Sequence, residues 1–230
     1  MTTTTTRVNF KSKSGSTVEG ELAEPSGGPD KAPAVVLLQE WWGVNDHVRD
    51  LVTRMSKEGF LVLAPDLYHG KTTKDAGEAG KLMTELDTLE AVKEIAGAVA
   101  FLKEHARSNG KVGVIGFCMG GALSFASACH IEGLGAVVPW YGIPPADKVD
   151  YKKATAPIQT HVGKKDAWVS PEKAEAIKKE IDGYGKTTVE LHVYDADHAF
   201  GNNTRPEVYD AGATKQAWER SVAFLKKHLA

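Results

Sequence analysis

Cys118 stands between two glycines, in Gly116-Phe117-Cys118-Met119-Gly120-Gly121. The apolar run Lys111-Val112-Gly113-Val114-Ile115 precedes it, and Ala122 to Cys129, which reads as helix, follows. Strand, glycine-flanked nucleophile and helix make a G-x-Nuc-x-G elbow, with cysteine where serine is usual. The turn is sharp and its backbone strained. Gly116 and Gly120 lack a Cβ and let strand and helix approach closely. The free N–H groups at the helix start then point at the sulfur and favour thiolate.

A thiol nucleophile needs a base for its proton, and the base needs an acid to orient it. His198 follows an alternating run, Thr188 to Tyr194, and Asp166 follows the run Pro157 to Val162 after Gly163. The order nucleophile, acid, histidine is that of the α/β-hydrolase fold. The reading is therefore Cys118 as nucleophile, His198 as base and acid, and Asp166 as the residue that orients the imidazole. Asp195 and Asp197 lie close to His198 in sequence and are the alternatives to Asp166. Of the eight histidines, His47, His69, His105, His130 and His228 read as surface or helix-end residues, while His161 and His192 fall within strands. Acyl transfer also needs oxyanion donors, expected to be the backbone N–H groups of Met119 and Trp41. Glu40, at a strand end beside Trp41 and Trp42, could approach Cys118; otherwise it is a solvated or salt-bridged carboxylate.

These residues need a scaffold, and the rest of the chain supplies its pattern. Short apolar runs at Pro33–Leu38, Phe60–Ala64, Lys111–Ile115, Leu134–Val138 and Pro157–Val162 read as strands buried on both faces. Val18–Leu22 alternates as an early strand. Between them lie helical segments: one capped by Asn45 and ended by Gly59, one from Leu86 to His105, one begun by Ser170 and Pro171 and running to about Asp182, and one from Pro206 to Leu229. Lys71 to Gly80 is either a mobile flap or a short helix. Strands alternating with helices predict an α/β class with a mostly parallel, twisted sheet and helices on both faces. Ligands then bind beyond the carboxyl ends of the strands, where Cys118, Glu40, Asp166 and His198 all fall.

Composition narrows the partners. The formal net charge of -2 leaves no basic excess for nucleic acid. No apolar run reaches the length of a membrane span. The start, Met1-Thr2-Thr3-Thr4-Thr5-Thr6-Arg7, lacks an apolar core, so it does not read as a secretory signal. Residues 1–6 are expected to be a disordered tail and 7–230 a single domain. The two cysteines, Cys118 and Cys129, lie at opposite ends of one helix, beyond disulfide reach, and read as reduced thiols of a cytoplasmic protein. Cys129 reads as a small core residue. No His/Cys/Asp spacing calls for a metal, and no cofactor is expected.

With these residues in view, the sequence resembles the dienelactone hydrolase family over nearly its whole length. The marks are Gln39-Glu40, an aromatic pair and Gly43, then Ala64-Pro65-Asp66-Leu67-Tyr68, the cysteine elbow, Tyr141-Gly142, Asp166 and His198-Ala199-Phe200. The resemblance implies a Cys118–Asp166–His198 triad, and it implies that Glu40 interacts with the thiol and helps form the thiolate when substrate binds. It places Tyr141 in the pocket, with Trp42 and Phe200 as further expected lining. The chain departs from the family where its best-known members carry an arginine for a substrate carboxylate shortly after the histidine. Here that stretch reads Phe200-Gly201-Asn202-Asn203, with Arg205 later, and Lys71 to Glu94 has lysines and no arginine. Trp41 and Trp42 would give a bulky aromatic rim suited to aryl esters or uncharged lactones. The expected activity is cysteine-dependent hydrolysis of an ester or lactone. The alternative keeps the triad and takes a neutral aryl phosphotriester, since some cysteine-triad members resemble promiscuous phosphotriesterases. A remoter one is a thiol-sensing or binding protein without turnover.

Overall fold

The computed structural model describes residues 5–230. Its frame is one eight-stranded sheet in the order β1-β2-β4-β3-β5-β6-β7-β8. The strands are β1 (Thr6–Lys11), β2 (Thr17–Ala23), β3 (Ala32–Leu38), β4 (Leu61–Pro65), β5 (Ser108–Phe117), β6 (Ala136–Trp140), β7 (Ile158–Gly163) and β8 (Val189–Tyr194). β1 and β2 pair antiparallel with each other, and β2 pairs antiparallel with β4. From β4 through β3 to β8 every pairing is parallel. Parallel strands need crossovers, and the helices α1 (Asp46–Lys57), α2 (Ala76–Glu85), α3 (Thr88–Glu104), α4 (Met119–His130), α5 (Pro171–Gly183) and α6 (Ala211–Leu229) supply most of them.

Because side chains alternate along a strand, β3 feeds both faces of the sheet. Val36 and Leu38 pack with Ile95 and Leu102 of α3 and Leu123 of α4. Val35 and Leu37 pack with Val48, Leu51 and Val52 of α1 and Val222 and Leu225 of α6. All four β3 residues are fully buried, which is why the strand reads as an unbroken apolar run.

Several expected boundaries move. Thr6, assigned to the tail, pairs with Leu22 in β1; residues 1–4 of that tail lie outside the described residues. β1 was missed because it is an edge strand with one covered face, where Phe10 meets Phe101 of α3 at 6.0 Å between ring centres. Within the undecided stretch 71–80, residues 71–75 form a loop and Ala76 begins α2. Asp75 caps α2, accepting Glu78 N–H at 2.8 Å. α6 begins at Ala211 rather than Pro206, because Asp210 accepts the Ala213 N–H at 2.8 Å and residues before it form turns. β6 runs on to Trp140, held by pairing with Phe117 of β5. No helix among the described residues is long and apolar enough to cross a membrane.

Candidate active site

The ends of β3, β5, β6, β7 and β8 converge on one cavity of about 660 Å³. Cys118 directly follows β5 and caps α4 with φ 55° and ψ -114°, a positive-φ conformation that is costly for a residue with a Cβ. The elbow is tight because its glycines permit it. A Cβ on Gly116 would lie 2.1 Å from Gly120 O, and one on Gly120 would lie 2.5 Å from Leu38 O. Tyr141 (φ 38°) and Ala199 (φ 60°) share the positive-φ strain. Both flank Cys118 in the cavity wall, so strain gathers where the candidate chemistry is.

Two loops bring the other groups in. Lys164 N–H donates to Tyr194 O at 2.7 Å and Lys165 N–H to Ala196 O at 3.0 Å, tying the loop after β7 to the loop after β8. His198 Nε2 then lies 3.2 Å from Cys118 Sγ, and His198 Nδ1 lies 2.8 Å from Asp166 Oδ2. Asp166 is buried, and its other oxygen accepts the backbone N–H groups of Trp168 at 2.7 Å and Val169 at 2.8 Å. Of the three candidate acids, Asp166 is therefore the one bonded to the imidazole. Asp195 instead pairs with Lys165 at 3.2 Å in solvent, and Asp197 is exposed. Burial opposes the charged form of His198, but the hydrogen bonds to Asp166 and Cys118 and their charges outweigh it and push the imidazole up to about 10. Such a string can pass a thiol proton to the imidazole and hold the resulting cation.

Glu40 is neither solvated nor salt-bridged. It is 2% exposed, accepts Asn202 Nδ2–H at 2.6 Å and faces the Tyr141 hydroxyl at 3.4 Å. Among the described residues, neither of its oxygens hydrogen-bonds the sulfur, which is engaged by His198 instead. Asn202 was not singled out from sequence; its only signal is its place in the stretch shortly after His198, where the family resemblance leads one to expect an arginine. His47, expected at the surface or at a helix end, is the second residue of α1 and is buried behind this group. Burial holds it below the ordinary imidazole value, opposed by the charge of Glu40.

Trp41, Trp42, Met119 and Tyr141 line the cavity, and α4 aims its N-terminus at it. Phe200 does not. It is fully buried behind Tyr141, stacked on Trp140 at 5.6 Å, because the turn at Ala199 sends it into the core while His198 faces the cavity. Sequence reasoning missed Trp168, Met83, Leu86 and Ile143, all in the lining. Arg205 also lines it, with its Nε 2.8 Å from Glu207 Oε1 and its guanidinium over Trp42 at 5.7 Å.

A sequence profile described as the dienelactone hydrolase family matches residues 18–229. The chain belongs to that family. Among its relatives it is 37% identical to protein usf of Aquifex pyrophilus over 228 residues, covering 94% of this chain and 96% of that one. It is 31% identical to carboxymethylenebutenolidase 1 of Cupriavidus pinatubonensis, covering 95% of each. In three dimensions it resembles a putative dienelactone hydrolase of Klebsiella pneumoniae, with TM-score 0.84, 26% identity and coverage of 96% of this chain and 99% of that one. It also resembles a dienelactone hydrolase-like promiscuous phosphotriesterase from metagenomic libraries, with TM-score 0.87, 23% identity and full coverage of both chains. The family member described here is thus a hydrolase with the α/β-hydrolase fold.

Proposed function

We propose that this family member hydrolyses uncharged carboxylic esters or lactones with Cys118, His198 and Asp166 as its triad. The observation that carries the reading is the unbroken contact from Asp166 Oδ2 through His198 to Cys118 Sγ, at 2.8 and 3.2 Å. His198 takes the thiol proton, and the thiolate attacks the carbonyl carbon. Met119 and Trp41 N–H groups hold the oxyanion. The intermediate collapses to a thioester as the C–O bond breaks, and His198 gives its proton to the leaving oxygen. His198 then takes a proton from water, whose oxygen attacks the thioester. The acid departs, and the proton returns to sulfur. For a lactone the leaving oxygen stays tethered to the product.

The mainly apolar lining supports an uncharged substrate, since its arginine and its lysine already have carboxylate partners, Arg205 with Glu207 at 2.8 Å and Lys148 with Asp147 at 3.1 Å. The same lining favours a second reading, in which Cys118 attacks the phosphorus of a neutral aryl phosphotriester. The test is turnover of p-nitrophenyl acetate, a cis-dienelactone and a neutral aryl phosphotriester by the wild type and by Cys118→Ala. Loss in the variant supports cysteine catalysis, and the ranking of kcat/KM chooses between carbon and phosphorus. Turnover kept by Cys118→Ala overturns the mechanism. Labelling of Cys118 without turnover of any substrate would leave a thiol-sensing or binding role.

A further inference from the structure

Trp168 is 63% exposed, although an indole is among the side chains with most to gain from burial. Of the exposed large apolar side chains among the described residues, it is the one that lines the cavity. Its ring lies 6.1 Å from that of Trp41, nearly edge-on at 69°. Trp41 in turn meets Trp42 at 5.0 Å. The three indoles make a continuous aromatic wall on one side of the cavity.

The position of that wall relative to the proton donor gives it a direction. Trp168 lies 6.1 Å from the His198 ring at 38°. The group that protonates a leaving oxygen must face that oxygen, so a side chain packed beside His198 lines the space of the departing alcohol. Asp166 fixes this relation, because one carboxylate orients His198 through Oδ2 and holds the Trp168 backbone N–H through Oδ1. Met83, Leu86, Leu123 and Ile143 add to the apolar lining.

We propose that Trp168 and Trp41 form a leaving-group subsite that takes a planar aryl or enol group and leaves those four side chains to the acyl group, so that the enzyme selects substrates by the alcohol they release. The inference rests on the ester-hydrolase reading for its sidedness. The walls supply edge and face contacts to a flat ring and nothing comparable to a compact alkyl group.

Two substrate series separate the sides of the cavity. In the first, phenyl acetate is compared with hexafluoroisopropyl acetate, whose alcohols are similarly acidic. In the second, p-nitrophenyl acetate is compared with p-nitrophenyl hexanoate. Trp168→Ala should lower kcat/KM for phenyl acetate about tenfold, mainly through KM, and leave the fluoroalkyl ester within about twofold. Preference between acetate and hexanoate should persist, and Trp168→Phe should recover most of the loss. A separate arm needs no turnover: calorimetry of 2-naphthol binding to Cys118→Ala, with and without Trp168→Ala. The second substitution should weaken binding about tenfold. Equal loss on both acetates, or unchanged naphthol affinity, overturns the subsite. If no ester is turned over, the ester-hydrolase reading fails by itself, and the naphthol arm still decides whether the aromatic wall binds an aryl group.

Discussion

The Glu40 carboxylate accepts its short hydrogen bond from Asn202, at 2.6 Å, in a place where both side chains are almost wholly buried. A carboxylate so held lines the same cavity as Cys118 without hydrogen-bonding its sulfur. Asn202 Oδ1 is also used, accepting from Thr204 N–H at 3.0 Å and the Thr204 hydroxyl at 2.6 Å. Truncation to Asn202→Ala should leave Glu40 short of a donor and cost about 1–3 kcal/mol in urea unfolding. Asn202→Asp sets two carboxylates side by side. Its loss of stability should be greater at about pH 8 than at about pH 5, because repulsion requires both to be ionised.

The two thiols should differ sharply in reactivity. Burial pushes Cys129 up to about 12, so at neutral pH it stays a protonated core side chain. Cys118 is partly exposed and touches an imidazole. Iodoacetamide should label the native wild type at Cys118 alone, read by peptide mass. Native Cys118→Ala should take no label until it is unfolded; rapid native labelling of Cys129 would contradict the burial argument.

His198 sets a pH dependence of definite sign. Its folded value of about 10 lies above the ordinary 6.5. Its contribution to stability is therefore present in full below about 6.5 and is lost as pH rises through about 10. The gap in Tm between wild type and His198→Gln should be wider near pH 6 than near pH 10. Ester turnover should also fall on the alkaline side as the imidazolium loses its proton.

Behind Tyr141 lies a second polar group, with a structural consequence. Ser221 donates to Ala217 O at 2.8 Å and accepts Trp140 Nε1–H at 3.0 Å. The hydroxyl proton is then spent, so His161 Nε2, 3.0 Å away, must be the donor to Ser221. His161 Nδ1 then accepts from the Tyr194 hydroxyl at 2.9 Å, and that oxygen takes Arg220 Nη1–H at 3.0 Å. Burial holds His161 well below 6.5, in keeping with a neutral ring. Ser221→Ala should strand the Trp140 and His161 N–H groups and cost about 2–4 kcal/mol by chemical denaturation. A loss below about 0.5 kcal/mol would mean that the chain of bonds contributes little.

The sequence by itself determined the elbow, the order of the candidate triad and the parallel heart of the sheet. Each is a local pattern: glycines around a nucleophile, apolar runs of strand length, caps such as Asn45 and Ser170 that accept Val48 and Lys173 N–H groups. The edge strand β1 stayed hidden because one covered face leaves only Val8 and Phe10 as its signal. Which acid meets His198, where Phe200 points and what holds Glu40 were decided by tertiary structure. Asp166 is chosen because bonds from Lys164 and Lys165 tie two distant loops together. Phe200 is sent inward by the positive φ of Ala199. Glu40 meets Asn202 across 162 positions of chain. Such contacts depend on how strand ends converge, and spacing along a chain carries no record of it.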